Sequence, residues 1–96
     1  MQRPLKELIQ SFAFCHVILE CKDDSIPNTG LPVKDWLKKG EKYIAYNIAQ
    51  NLNSNYGEMG FSYFIKDKNG NRKSPFDGYE TYKADRFNVI GFLCMN

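Results

Sequence analysis

The 96-residue chain holds one histidine, one tryptophan and three cysteines, and it has no Cys-x-x-Cys pair. A single histidine excludes multi-histidine metal centres and deprives most general-base schemes of their base. His16 lies in an apolar strand-like run, pointing away from its neighbour Cys15, so a local Cys-His pair is not formed there. The cysteines at positions 15, 21 and 94 match no common zinc-ligand spacing, and an odd count without a secretory segment argues against a disulfide framework. Buried free thiols are expected, and Cys15 and Cys21, roughly 20 Å apart along one strand, cannot bridge each other. A Gly-rich phosphate loop and a nucleophile elbow are also missing. No apolar run reaches the ~18 to 20 residues of a membrane helix, and "MQRPLKELIQSF" lacks the apolar core of a signal peptide. A cytoplasmic protein is therefore expected. Charge of one sign is scarce too: 13 Lys and Arg against 11 Asp and Glu leave a net +2, well short of a dedicated nucleic-acid-binding domain. The absences together predict a protein that is not an enzyme, with no cofactor, no metal site and no membrane contact.

What the chain does have is bulk. Seven Phe, six Tyr and one Trp in a composition that is 43% hydrophobic supply the large apolar groups a domain of this size needs to fill one core. The length fits a single domain over residues 1–96. In "RPLKELIQSF", Leu5, Leu8, Ile9 and Phe12 recur at helical spacing and Pro4 suits a first helical position, which predicts a short helix from about Pro4 to Ser11 within an N-terminal segment 1–12. "AFCHVILECK" is apolar on both faces and reads as a central strand. "VKDWLKK" predicts one helical turn, stopped by Gly40. "EKYIAYNIAQ" has period 2, with Ile44, Tyr46 and Ile48 on one face and Tyr43, Ala45 and Asn47 on the other. "MGFSYFIKD" puts Met59, Phe61, Tyr63 and Ile65 on one side of a third strand, and Asn69-Gly70 predicts a type I′ hairpin turn. A helical turn around Tyr82 to Asp85 and a last strand "NVIGFLCM" complete the order. The reading is a mainly β (α+β) chain: a short N-terminal helix followed by a small, SH3-like, partly open antiparallel β-barrel over residues 13–96.

Two acidic stretches are weighed as cation sites. Asp23-Asp24-Ser25 lacks the glycine and glutamate of a calcium loop, and "DKNGN" continues into cations where ligands belong, so both are read as turns. The basic and aromatic stretch "VKDWLKKGEKYIAY" has more functional colour. Lys34, Lys38, Lys39 and Lys42 are placed to meet phosphates or an acidic partner while Trp36, Tyr43 or Tyr46 stacks on a base, and Arg72, Lys73, Lys83 and Arg86 extend the set. Against this, Trp36 beside a turn serves as a core anchor, and Asp35 and Glu41 dilute the field.

"CKDDSIPN", "WLKKGEKY" and "YKADRF" together resemble a pattern of short bacterial and phage proteins: a strand ending Cys-x-Asp-Asp-Ser, a Trp-x-Lys-Lys-Gly-x-x-Tyr turn into the next strand, and a late Arg-Phe. The resemblance covers about residues 15–90. It implies an SH3-like barrel, an origin in phages or mobile elements, and a role in binding a host protein or nucleoprotein complex, for example as an inhibitor of a defence system. The leading expectation is thus a protein-binding module whose binding residues are Lys34, Trp36, Lys38, Lys39, Lys42, Tyr46, Tyr82 and Arg86. RNA or single-stranded DNA binding by the Lys34–Tyr46 patch stands second, and an obligate homodimer third.

Overall fold

A computed structural model of the chain describes residues 5–33, 35–50, 60–76 and 78–94. Helix α1 spans Leu5–Ser11, and the strands are β1 Cys15–Cys21, β2 Lys42–Gln50, β3 Phe61–Lys66, β4 Arg72–Lys73, β5 Tyr82–Lys83 and β6 Phe87–Cys94. They form one antiparallel sheet in the order β4-β3-β2-β1-β6, with β5 paired to β3 beyond β4. The sheet is not closed into a barrel. The expectation of a mainly β, partly open domain with a short N-terminal helix is met.

The doubly apolar run around Val17 forms the strand next to last in the sheet order, flanked by β2 and β6. Val17 and Leu19 point to the inner face and are fully buried, together with Ala45, Tyr63, Ile65, Tyr82 and Phe87. Leu8 from α1 and Leu37 from the segment between β1 and β2 close over this face. Trp36 and Phe12 pack against its rim. Truncating a side chain such as Leu19 here is worth about 2–5 kcal/mol.

Four local expectations change. The segment before β2 is not helical: residues 35–38 run without helix into a turn in which Glu41 N–H donates to the Lys38 carbonyl, and Gly40 takes the positive φ of 87° that permits the exit. Trp36 and Leu37 are drawn into the core instead, and that burial outweighs a single turn of helix. The hairpin after β3 is not type I′, because Asn69 has negative φ and only Gly70 is left-handed (φ 83°). Its Gly70 N–H donates to Asp67 O, and Asp67 N–H to Asn71 O, the three-residue loop with a glycine bulge. Asp67 Oδ1 accepts from the N–H groups of Asn69 and Asn71, so "DKNGN" is a turn, as expected. The late helical turn is a 3₁₀ turn at Ala84–Arg86, one residue or two further on, with Tyr82 and Lys83 kept in β5. Met59 lies outside the described residues.

The fourth change concerns strand β2. Its pairing to β3 shifts between Ala45 and Asn47, a bulge at Tyr46. Beyond it the alternation inverts, so Ile48 joins Tyr43 and Ala45 on the inner face while Ile44, Tyr46 and Asn47 face outward.

The cysteines also differ from expectation. Cys15 and Cys94 are direct cross-strand partners of β1 and β6 and form a disulfide, while Cys21 remains a buried free thiol. Their separation of 79 residues hid the pairing, which only the β1–β6 register creates. Closing so long a loop stabilises by about 4–5 kcal/mol in the chain-entropy account, and bridges commonly deliver about 2–4. Cys94→Ser should therefore lower the unfolding free energy by about 2–4 kcal/mol in urea titration; an unchanged midpoint would show that the bridge does not restrain the unfolded chain.

Candidate functional site

The three stretches that stood out in the sequence meet at one end of the sheet. β1 ends at Cys21, and the next residues turn back on an Asp23 carboxylate that accepts from both the N–H and the Oγ of Ser25 (3.0 and 2.6 Å). Arg86 Nη1 donates to the carbonyls of Asp23 and Ser25 (3.2 and 2.6 Å), and its guanidinium lies over the Trp36 ring, 5.2 Å from the centroid. Trp36 Nε1–H in turn donates to the Asp24 carbonyl at 2.8 Å, and Lys39 N–H to the Asp24 carboxylate at 3.2 Å. Tyr43 Oη accepts from Lys38 N–H, and the Tyr43 ring meets Phe87 edge-on. Every motif of the resemblance thus contributes a clasp that ties the β1–β2 connection to the start of β6.

That clasp takes up Trp36 and Arg86 of the groups expected to bind. Trp36 is stacked among Phe76, Tyr82 and Arg86, and Tyr82 is buried. Lys73 is buried as well, its Nζ held by the Asp35 carbonyl at 2.8 Å and the Asp35 carboxylate at 3.0 Å. Lys38, Lys39 and Lys42 are exposed, whereas Lys34 lies outside the described residues. Tyr46 stands on the opposite, outer face of the sheet from Trp36, so the stretch does not present its aromatics as one surface.

Burial disfavours ionisation of both tyrosines, pushing the pKa of Tyr63 up to about 12 and that of Tyr82 higher still. Tyr82 Oη has no hydrogen-bond partner among the described residues. Removing such a hydroxyl relieves a desolvation cost, so Tyr82→Phe should leave the fold intact and raise its stability by up to about 1 kcal/mol in a denaturant titration; a loss would show that the hydroxyl is satisfied. The Asp23 carboxyl is held below the usual range, first by the Ser25 hydroxyl, then by the Ser25 N–H, with Arg86 adding to it. A carboxylate depressed in the folded state contributes stability above its unfolded pKa and loses it as pH falls through the folded one. Asp23→Ala should accordingly flatten the decline in stability below about pH 4, measured as melting temperature against pH.

The outer face is where exposed chemistry gathers. Cross-strand partners set out one row from edge to edge: Gly91 on β6, Ile18 on β1, Ile44 on β2, Lys66 on β3 and Arg72 on β4. Leu93, paired with His16, lies beside the apolar end and is 52% exposed. Tyr46 and Phe64 stack beside the row with centroids 6.0 Å apart, and Lys66 and Arg72 lie 5.0 and 5.3 Å from the Tyr46 centroid. A depression lined by Ala49, Phe64, Phe76, Tyr79 and Thr81 continues this surface toward β5. Helix α1 and the segment carrying Trp36 pack on the other face; on this one Ile18, Ile44, Tyr46 and Phe64 are half-buried, and Ser62, bonded to Thr81, is buried. Sequence reasoning named only Tyr46 of this set for binding, with Arg72 as an extension. Its signal was the apolar character of both faces of β1, which was read as burial on both sides.

Among the described residues no group of three or more His, Cys, Asp or Glu side chains gathers as a metal site, and no helix is long and apolar enough to cross a membrane. The chain matches no protein-family model, no curated protein and no solved structure.

Proposed function

We propose that this chain is a non-enzymatic protein-binding module that acts by occupying a surface of a larger protein, and that it does so with the outer face of its sheet. One observation carries the reading: Ile18, Ile44, Tyr46 and Phe64 form a half-buried apolar surface, continued by exposed Leu93, on the face of the sheet opposite the core. A sheet face meant only for water alternates to polar residues, and an apolar patch rimmed by charge is the mark of an interaction site. The resemblance to short bacterial and phage proteins supports a host protein as the partner, within a defence system or a nucleoprotein complex, and a phage or mobile-element origin in an SH3-like family. A cytoplasmic setting goes with it. There the Cys15–Cys94 bridge would exchange with the thiol pool, and a thiol count after alkylation in the cell tells bridge from dithiol.

The single-strand nucleic-acid reading ranks second. It keeps Tyr46 with Lys66 and Arg72 as a stacking and phosphate-contacting group. It loses the Trp36 platform, and it leaves the aliphatic Ile18, Ile44 and Leu93 without a role, since nucleic acid does not cover such groups.

Ile44→Gln with Leu93→Gln removes apolar surface from the outer face and adds no charge. We expect affinity capture by this variant to lose a stoichiometric protein partner that the parent and a Lys38→Glu, Lys39→Glu control both retain, with the melting curve preserved. Equal capture by the outer-face variant, or RNA as the main retained species, would count against the reading.

A further inference from the structure

Lys66 and Arg72 are direct cross-strand partners on an exposed face. Like charges so placed repel, and a sheet gains by avoiding them. Neither has an acidic side chain within ion-pair distance among the described residues, unlike Lys73 with Asp35 and Arg86 with Asp23. By contrast Lys42, further along the same face, stands opposite Glu20 in the β1–β2 register. The negative face of the Tyr46 ring, 5.0 and 5.3 Å from the two cations, offsets part of their repulsion and holds both beside one aromatic surface. That arrangement leaves two positive charges side by side, with no acidic partner among the described residues.

The row that contains them is polarised. Gly91, Ile18 and Ile44 make an apolar end and Lys66 and Arg72 a basic end, across five strands that span about 19 Å at ~4.8 Å per strand. At Gly91 the row drops to backbone height, where an added Cβ would lie 3.5 Å from Ile18 Cδ1, so Ile18 is reached from the β6 side without an obstructing side chain.

We propose that the occupant of this face is a protein segment with apolar side chains at one end and at least two carboxylates at the other. Its apolar end lies on Ile18, Ile44 and Leu93, and its carboxylates sit between Lys66 and Arg72 beside Tyr46. The proposal rests on the protein-binding reading above and deepens it by giving the partner's chemistry. Aliphatic cover at one end of the row favours a polypeptide over a nucleic acid, and a cation pair with no acidic side chain within ion-pair distance among the described residues selects an acidic one.

The test is fluorescence anisotropy with labelled peptides of about 14 residues, which as a helix span the row. One carries Leu in one half and Glu in the other; the others replace Glu by Lys, or Leu by Ser. A single-stranded oligonucleotide of similar length is the fourth probe. The Leu/Glu peptide should bind at least tenfold more tightly than the other three and weaken as salt rises. Lys66→Glu with Arg72→Glu should reverse the preference, now favouring the Leu/Lys peptide, and that gain cannot come from misfolding. Equal binding of the Leu/Glu and Leu/Lys peptides would overturn the acidic-partner proposal while leaving a protein-binding face. Tightest binding of the oligonucleotide, or no binding of any Leu-bearing peptide, would overturn both.

Discussion

The Arg86 guanidinium is the contact on which the rest of this architecture depends. It accepts the Trp36 ring on one side and supplies the hydrogen bonds for two carbonyls of the loop that leaves β1. Without it the loop would have to find other donors for Asp23 and Ser25, and Trp36 would lose the cation that covers its face. Backbone bonds from Lys22 and Asp23 to the Arg86 carbonyl run the other way, so the same residue joins the end of β1 to the start of β6 in both directions. Side-chain and main-chain groups of one arginine thereby fix the relation between the long connection and the sheet.

This clasp changes what the basic, aromatic stretch before β2 is for. A tryptophan ringed by lysines reads as a binding patch when only composition is known. In the fold its indole N–H is committed to Asp24 and its ring to Arg86, Phe76 and Tyr82. The lysines around it are surface groups whose main-chain N–H atoms, at Lys38 and Lys39, serve Tyr43 and Asp24. With α1 and the Trp36 segment committed to the inner face, Ile18, Ile44, Tyr46 and Phe64 stand half-buried on the outer one. A sheet with one packed face and one apolar open face is the form from which the proposed interaction follows.

The disulfide and the bulge at Tyr46 show the same logic at smaller scale. Cys15 and Cys94 come together because β1 and β6 are antiparallel neighbours in that register, and no spacing rule contains a register. The bulge at Tyr46 leaves that ring on the outer face with Phe64, Lys66 and Arg72 and sends Ile48 inward. A strict period of 2 predicts the reverse for Ile48, since a bulge is invisible until the partner strand is known.

Local rules sufficed for most of the elements, though not for the segment before β2, which is not helical. The apolar run at β1, the period-2 runs at β2 and β3, the helical spacing at α1, the left-handed glycines at positions 40 and 70, and the Asx turns at Asp23 and Asp67 are each set by residues a few positions apart, and the sequence alone determined them. The inner-face residues Phe61, Tyr63 and Ile65 were legible for the same reason. Which strands pair, and therefore which charges face each other, depends on residues tens of positions apart. The tertiary structure alone decided which groups Trp36 packs against, that Cys15 meets Cys94, and that Lys66 and Arg72 share one face with Ile18 and Ile44, because pairing and burial are properties of the whole sheet and of no segment within it.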